Sequence, residues 1–162
     1  MERVSKENYY LDIAQTVAER GTCLRRLFGA IIVKNDSIVS TGYAGAPRGR
    51  KNCCDLKFCY RQQLNIPRGE RYELCRSVHA EQNAIIAASR DEMLGATLYL
   101  ACIDPETHAI LGGTNSCPMC KRTIINSGIE RVVIRDTKED YRVIEVREWI
   151  EDDDSLSGKF GY

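Results

Sequence analysis

The chain has 162 residues, 43% of them hydrophobic, which is typical of one folded domain with a substantial core. Its 23 lysines and arginines balance 23 aspartates and glutamates, so the basic excess of a nucleic-acid-binding protein is missing. No run of about eighteen apolar residues predicts a membrane span, and the amino terminus lacks the apolar core of a secretion signal. We therefore expect a cytosolic protein that acts on a small molecule and binds neither nucleic acid nor membrane.

The predicted elements begin with a helix and a hairpin. Ser5 is a typical helix N-cap, and apolar residues at three- and four-residue spacing predict a core-packing helix to about Arg20. Two short runs rich in β-branched residues follow at 28–33 and 37–43. The turn residues 34–36 between them predict a tight β-hairpin.

The middle of the chain is less regular. Residues 42–69 are rich in Gly, Pro, Arg, Asn and Cys, and loops of this length are uncommon unless they are functional or tied down. A short helix is predicted at 60–65, a longer one at 79–90, and a strand at 97–101. Turn residues at 104–108 predict a small hairpin.

The last part of the chain predicts a helix at 117–127, a strand at 130–135 and an amphipathic piece at 143–150. Strands that alternate with helices indicate an α/β domain, which we place at residues 1–150. Residues 151–162 are acidic at first and then contain Gly and Ser, and we expect them to form a tail that is mobile or is ordered only by a partner subunit.

Two short motifs carry metal-binding groups. His79 precedes Glu81 by two residues at the predicted start of a helix, and Cys117 and Cys120 form a thiol pair at ligand spacing. Pro118 favours the first helical position, which makes Cys117 a helix cap and puts Cys120 in the first turn. The sequence therefore predicts two helix amino termini that converge on one ion, where their positive dipole ends favour thiolates.

Each motif alone is a weak signal. A His-x-Glu triplet occurs on ordinary helix surfaces, and a Cys-x-x-Cys pair is also typical of redox sites and of half a structural zinc site. Together, in this order, they resemble the signature of the zinc-dependent nucleobase deaminases. His79, Cys117 and Cys120 supply three zinc ligands and leave one position for water, whose pKa zinc lowers to about 7. Glu81 is then free to carry protons between that water, the ring nitrogen and the leaving amine.

Longer stretches resemble the deoxycytidylate deaminase branch of the cytidine deaminase superfamily, at 40–49, 52–55, 73–85, 96–100 and 124–129. The resemblance covers most of the chain, from about residue 10 to residue 135. It implies a three-layer α/β/α sandwich with a mixed five-stranded sheet, and hydrolysis of dCMP to dUMP and ammonia. It also implies a homo-oligomer and nucleotide effectors, dCTP as activator and dTTP as inhibitor, with Mg²⁺ bound to the effector nucleotide.

The eight cysteines favour metal sites, because disulfides rarely persist in a cytosolic protein. Relatives in the branch commonly hold a second, structural zinc, and the resemblance implies a closed site of four thiolates formed by Cys23, Cys53, Cys59 and Cys75. Cys54 competes with Cys53, since adjacent residues cannot both reach one tetrahedral ion comfortably. For each of these residues, a free buried thiol is the alternative.

The implied substrate-binding residues include two that depart from the branch. Ala44 stands where the branch usually has an asparagine that contacts the sugar, and Ser116 stands where it usually has proline. Ala80 is implied as a further contact, and the backbone carbonyl of Ser116 as the acceptor of the substrate amine. About a dozen extra residues, 103–115, precede Cys117 and are expected to border the pocket.

A phosphate on the substrate requires cationic partners. Arginines 25, 26, 48 and 50 lie in loops expected to flank the pocket, and the arginine fork suits phosphate geometry. We name Arg26 and Arg48 as the phosphate contacts, with solvated surface arginine as the alternative for each.

Two other functions fit the same motifs. One is deamination of another cytosine compound or of a related nucleoside or base; an RNA adenosine deaminase is less favoured because the basic excess is absent. The other is a non-catalytic zinc module used for binding or assembly. Such a module has no need of an acid–base group at Glu81.

Overall fold

The computed structural model describes residues 1–153 and residue 156. Within that part of the chain the strands form one mixed five-stranded sheet: β1 Leu27–Lys34, β2 Ser37–Tyr43, β3 Thr97–Ile103, β4 Arg131–Arg135 and β5 Tyr141–Glu145. The strand order is β2-β1-β3-β4-β5, with β3 and β4 parallel and the other neighbours antiparallel. The predicted mixed five-stranded sheet is confirmed.

The helices are short apart from the first and the sixth. They are α1 Lys6–Ala18, α2 Cys53–Leu56, α3 Tyr60–Gln63, α4 Ala80–Ile86, α5 Arg90–Met93, α6 Pro118–Ser127 and α7 Val146–Glu151, with a 3₁₀ turn at Tyr72–Leu74. Because β3 and β4 are parallel, the chain must cross over between them, and α6 lies in that crossover.

The sheet separates two apolar layers, because successive side chains of a strand point to opposite faces. On one face the buried strand residues pack with α4 and α6; they are Ala30, Ile32, Leu98, Leu100, Val132 and Ile134. On the other face they pack with Tyr10, Leu11 and Ala14 of α1; they are Ile31, Val33, Tyr99, Ala101 and Val133. This arrangement gives the three α/β/α layers.

Two strand glycines allow the helices to lie directly on the sheet. A Cβ on Gly29 would lie 2.2 Å from the carbonyl oxygen of Ala14 in α1. A Cβ on Gly42 would lie 2.3 Å from the backbone nitrogen of Ala84 in α4. Since no side chain fits at either position, these glycines determine how close α1 and α4 come. Because α4 packs closely on the sheet at Gly42, the position of its amino terminus relative to the sheet is fixed.

Local signals located the first helix, the hairpin and α6 correctly. Ser5 caps α1 and accepts a hydrogen bond from the N–H of Asn8 at 3.2 Å. Asn35 and Asp36 have φ values of 50° and 58°, as a tight hairpin turn requires. Gly128 ends α6 with a φ of 85°.

The helix predicted at 79–90 begins where expected, with His79 as its cap, but its predicted end is wrong. Two helices occupy this stretch, since the first ends at Ile86 and the second begins at Arg90. Ser89 starts the new helix: its hydroxyl accepts from the N–H of Glu92, whose carboxylate accepts from the N–H of Ser89. This reciprocal cap stabilises the break.

The single piece predicted at 143–150 is also wrong. The chain continues β5 to Glu145, which pairs with Arg131, and only then turns into α7. The acidic tail predicted at 151–162 lies mostly outside the described residues. Its mobility and the domain boundary at residue 150 stay predictions. None of the described helices is long and apolar enough to span a membrane.

Candidate metal centre and active site

Two helix amino termini meet at the motif residues. His79 is the N-cap of α4, and its backbone N–H donates to the side-chain oxygen of Gln82 at 3.0 Å. Cys117 is the N-cap of α6, ahead of Pro118 at the first helical position, and the N–H of Cys120 points at the Cys117 sulfur at 3.5 Å. The end-on convergence predicted from the two motifs is therefore what the structure shows.

The three donor atoms lie close together. Nδ1 of His79 is 3.5 Å from the sulfur of Cys117 and 3.4 Å from the sulfur of Cys120. Among the described residues, these form the one group of three or more His, Cys, Asp or Glu side chains whose donor atoms lie within 4.8 Å of one another. One imidazole nitrogen and two sulfurs are ligands that zinc prefers, and three protein ligands leave a fourth position open. The donor set fits a catalytic zinc ion.

The electrostatics of the donor set also suit a cation. Burial alone would lower the pKa of His79, but hydrogen bonds with Cys117 and Cys75 raise this pKa to about 11. The pKa of Cys117 falls to about 4, chiefly because the thiol of Cys120 is hydrogen-bonded to it, and the same contact raises the pKa of Cys120. These shifts reflect how closely the imidazole and the two thiols approach one another, and a metal ion bound there would displace the protons that they share.

Glu81 lies beside these donors. It sits in the first turn of α4, is 4% exposed, and lines the same cavity as His79 and Cys117. Burial raises the pKa of its carboxyl, and the charge of Cys117 adds to this, while His79 and Ser116 oppose it. The net shift of the pKa is upward, so the carboxyl group holds a proton more readily than in water, which suits a proton carrier.

The cavity in front of the donors has a volume of about 240 Å³. Part of its wall is apolar or aromatic, from Phe28, Ala44 and Tyr72. Four arginines also line it: Arg25, Arg26, Arg61 and Arg68. A site with a few placed polar groups in an otherwise apolar wall is typical of a small-molecule pocket.

A family model for the cytidine and deoxycytidylate deaminase zinc-binding region matches residues 4–136. The chain belongs to this family. The deoxycytidylate deaminase of Mycobacterium phage D29 is 36% identical over 138 residues, which are 82% of this chain and 96% of that protein. The deoxycytidylate deaminase of Schizosaccharomyces pombe is 32% identical over 131 residues, which are 81% of this chain but only 37% of the yeast protein.

Solved structures of deaminases share the fold. The dCMP deaminase from the cyanophage S-TIM5, in its apo form, has a TM-score of 0.56 and 27% sequence identity, with 81% of this chain and 82% of that chain covered. The cytidine deaminase from Burkholderia pseudomallei has a TM-score of 0.57 and 18% identity, with 89% and 95% covered. The second likeness concerns the fold alone.

The structure brings three of the five predicted substrate-binding residues to the deaminase cavity: Arg26, Ala44 and Ala80. Ser116 is completely buried directly before the first cysteine ligand, and it is not one of the described residues that line the cavity. Arg48 is exposed and does not line the described cavity wall either. Arg48 lies within a turn, in which the carbonyl of Pro47 accepts a hydrogen bond from the N–H of Arg50 at 2.9 Å.

The four cysteines predicted for a second zinc lie near one another. Burial raises the pKa of Cys53, and the negative charges of three further thiols raise it more: Cys23, Cys75 and Cys59. Cys53 is buried at the start of α2, whereas Cys54 is exposed and directs its sulfur to Asp55, so the geometry favours Cys53. The donor atoms of this group are not all within 4.8 Å of one another, in contrast to the first set.

Sequence reasoning gave no site role to five residues of the cavity wall, Arg61, Arg68, Phe28, Tyr72 and Ser77, and placed Asn115 near the pocket only as part of the insert 103–115. The first two belong to the long irregular stretch 42–69, where no periodicity shows which side chains face inward. Asn115 had a usable signal, because it stands two residues before a predicted metal ligand. Its side-chain oxygen accepts from the N–H of Ser116 at 2.8 Å.

The extra residues at 103–115 are anchored before they reach the cavity. Asp136, just after β4, accepts from the N–H of Gly113 at 2.8 Å and pairs with Arg142 of β5 at 2.8 Å. Arg142 also donates to the carbonyl of Thr114, which is 1% exposed. This clamp, formed by Asp136 and Arg142, holds the chain directly ahead of the metal-binding cysteines.

Proposed function

We propose that the protein is a zinc-dependent deaminase that hydrolyses dCMP to dUMP and ammonia. The observation that carries the proposal is the cluster of His79, Cys117 and Cys120 beside a cavity that His79, Cys117 and Glu81 line. Membership of the deaminase family supports the reaction. The activity named for the phage and yeast relatives supports deoxycytidylate as the substrate.

His79, Cys117 and Cys120 would hold the zinc ion, because their donor atoms are buried and mutually close. Zinc bound there supplies a Lewis acid and lowers the pKa of a water molecule to about 7. Glu81 takes a proton from the attacking water and passes it to the ring nitrogen of the base. It then takes the remaining proton from the hydroxyl group that has added to the ring and delivers it to the departing amine, which leaves as ammonia. Its burial keeps bulk water from competing for these protons.

Backbone groups beside the metal ligands are proposed to orient the base. Ala80 lies at the first position of α4, where the N–H has no partner within the helix, so it can donate to the carbonyl oxygen of the base. The carbonyl of Ser116 is proposed to accept from the amine that leaves. Both groups sit on rigid helix starts, which favours a single orientation of the ring.

The arginines of the cavity favour a nucleotide over a free nucleoside. The chain has no net charge, yet four guanidinium groups line this one cavity. Arg26 is the proposed phosphate contact, because it lies in the wall and its fork can bind two phosphate oxygens. Arg48 was predicted for the same role, and its exposed position outside the described wall does not support that role.

A second, structural zinc is proposed at Cys23, Cys53, Cys59 and Cys75. The support is that Cys23, Cys59 and Cys75 lie near enough to Cys53 to raise the pKa of its thiol. Four thiolates match the closed tetrahedral site of structural zinc. Bound metal would draw the four sulfurs together and tie down the irregular stretch that carries Cys53 and Cys59.

A homo-oligomer, regulation by dCTP and dTTP, a Mg²⁺-bound effector nucleotide and a cytosolic location stay predictions. Exposed apolar side chains support the oligomer: Ile86 on α4 is 75% exposed and Ile150 on α7 is 59% exposed. Apolar surface of this kind is typical of contact regions between subunits.

Deamination of another cytosine compound is the second candidate. Ala44 favours it, because this cavity-lining residue offers only a methyl group and no side-chain hydrogen bond to a sugar. A non-catalytic zinc module is disfavoured, since burying Glu81 beside the metal donors costs stability without serving binding.

The test is an assay of ammonia release from dCMP, CMP, deoxycytidine, cytidine and cytosine, with Glu81→Ala as the inactive control. Release from dCMP above that of the control variant supports the proposal. Release from none of the five substrates contradicts the enzyme function, and release only from cytidine, deoxycytidine or cytosine contradicts the nucleotide assignment. Metal analysis of Cys59→Ser tests the second zinc, because this variant should lose one equivalent and keep the other.

A further inference from the structure

Arg61 is a buried cation in the cavity wall. It lies in α3, is 4% exposed and lines the same cavity as His79 and Glu81. In the part of the chain described, it forms no ion pair with a carboxylate. The charge of Arg61 adds to the hydrogen bonds that lower the pKa of Glu73 and, against the effect of burial, that of Cys75. Neither interaction is a salt bridge, so groups in direct contact must also stabilise the charge.

Backbone carbonyls and an aromatic face stabilise this charge. Nη2 of Arg61 donates to the carbonyl of Pro67 at 3.0 Å and to the carbonyl of Glu70. Its guanidinium carbon lies 4.4 Å from the centroid of the Tyr72 ring, which is a cation–π contact. Arg61 therefore holds the segment 67–70 and the aromatic ring that follows it in a single arrangement.

The Tyr72 ring in turn packs on the imidazole of His79. The two ring centroids are 5.4 Å apart and the planes meet at 84°, so an edge of one ring meets a face of the other. Nδ1 of this imidazole is the atom that faces the sulfurs of Cys117 and Cys120. Since a ligand nitrogen binds along the plane of its ring, whatever fixes that plane also aims the nitrogen.

We propose that Arg61 is a positioning residue for the zinc ligand His79 and acts through Tyr72. The inference rests on the proposed zinc site. The Arg61–Tyr72–His79 stack connects helix α3, which supplies no ligand to the site of His79, Cys117 and Cys120, to the orientation of His79. Loss of groups that orient a metal ligand typically lowers metal affinity by about 10- to 100-fold.

The experiment measures release of zinc to a chromogenic chelator and the visible absorption spectrum of the Co²⁺-substituted protein. The test variants are Arg61→Met, which keeps the apolar stem, and Tyr72→Leu, which keeps apolar volume. The matched controls are Arg71→Met, an exposed neighbour paired with Glu73, and Tyr72→Phe, which keeps the ring. The release phase that belongs to this site is the one missing in His79→Ala.

We expect Arg61→Met and Tyr72→Leu to release that zinc about tenfold faster and to alter the Co²⁺ spectrum, whereas both controls match the wild type. Wild-type release and an unchanged spectrum in both test variants overturn the inference, even if their melting temperatures fall. If Arg61→Met does not fold, Arg61→Lys replaces it, because lysine keeps the charge but lacks the fork. A wild-type protein without any release phase dependent on His79 would instead overturn the proposed function.

Discussion

Among the described residues, buried charged side chains have ion-pair partners on the α1 side of the sheet but not at the cavity. On the α1 side, Arg135 of β4 is completely buried and donates to Asp12 at 2.8 Å and to Gln15 at 2.9 Å. At the cavity, Glu81 and Arg61 are each 4% exposed, and neither takes part in an ion pair within the described residues. A charge that the fold neutralises serves stability, whereas the carboxyl group of Glu81, left facing the cavity, is available to a ligand. Arg61 is a third case, because backbone carbonyls and the Tyr72 ring stabilise its charge without a salt bridge to any described carboxylate.

The largest expected effect tests the cavity side of this comparison. Glu81→Gln keeps the size of the side chain but cannot carry a proton, so kcat for dCMP should fall by about 10³-fold. Zinc content and melting temperature should stay at or above the wild-type values, because the variant no longer buries a carboxyl group. Ammonia release and a thermal melt check both. A loss of less than tenfold would show that another group carries the proton.

The next effect concerns the metal ligand at the start of α6. Cys117→Ser removes a thiolate, but serine is a good N-cap, so the helix should still begin at Pro118. We expect zinc affinity at this site to fall by more than about 100-fold, with activity lost and helical circular dichroism kept. Metal competition and far-ultraviolet spectra measure the two quantities. Loss of the helical signal together with zinc would mean that the metal, and not the cap, starts this helix.

On the α1 side the expected effect is on stability alone. Asp12→Asn leaves buried Arg135 without its carboxylate partner and should lower the free energy of unfolding by about 2 kcal/mol, with kcat unchanged. Lys138→Gln is the matched control, because it removes only the exposed partner of the same carboxylate and should cost less than about 0.5 kcal/mol. Urea unfolding and the dCMP assay distinguish the outcomes. A fall in kcat for Asp12→Asn would contradict the view that the buried charges on the α1 side affect stability alone.

The same carboxylate predicts a dependence on pH. Burial would raise the pKa of Asp12, but hydrogen bonds from Lys138 and Arg135 outweigh it and lower the pKa below its usual value. A lowered pKa stabilises the fold above the pKa of the unfolded chain, about 3.9, and this stabilisation is lost as pH falls through the folded pKa. Urea unfolding below about pH 4 should therefore show a steeper loss of stability for the wild type than for Asp12→Asn. Parallel curves would assign the acid sensitivity to other carboxylates.

The smallest expected effect concerns the clamp formed by Asp136 and Arg142. Arg142→Met frees the chain ahead of Cys117, so the KM for dCMP should rise by about three- to tenfold, with a smaller change in kcat. Arg131→Met is the control, because its exposed ion pair with Glu145 joins the same two strands but touches no residue of the insert. Steady-state kinetics of the two variants decide the point. An equal rise in KM for both would assign the effect to the β4–β5 pair as a whole.

Local rules explain why the metal site was predictable. The choice of His79 and Cys117 as helix caps, and of Pro118 as first helical residue, depends on a few neighbouring residues and on backbone conformation. The same kind of local rule applies at Ser89, where the reciprocal cap with Glu92 begins a new helix that the apolar periodicity does not indicate. Strand β5 is short and half exposed, and its pairing with β4 is what makes it a strand.

The sequence by itself determined the chemistry: which residues can hold zinc, which carboxyl can move a proton, and that both stand at helix starts. Only the tertiary structure decided which arginines face the cavity, that Tyr72 packs on His79, and that Arg48 lies outside the described wall. The physical reason is the range of the interactions. Caps and turns are set by neighbours along the chain, whereas the conformation of an irregular stretch depends on contacts with distant residues.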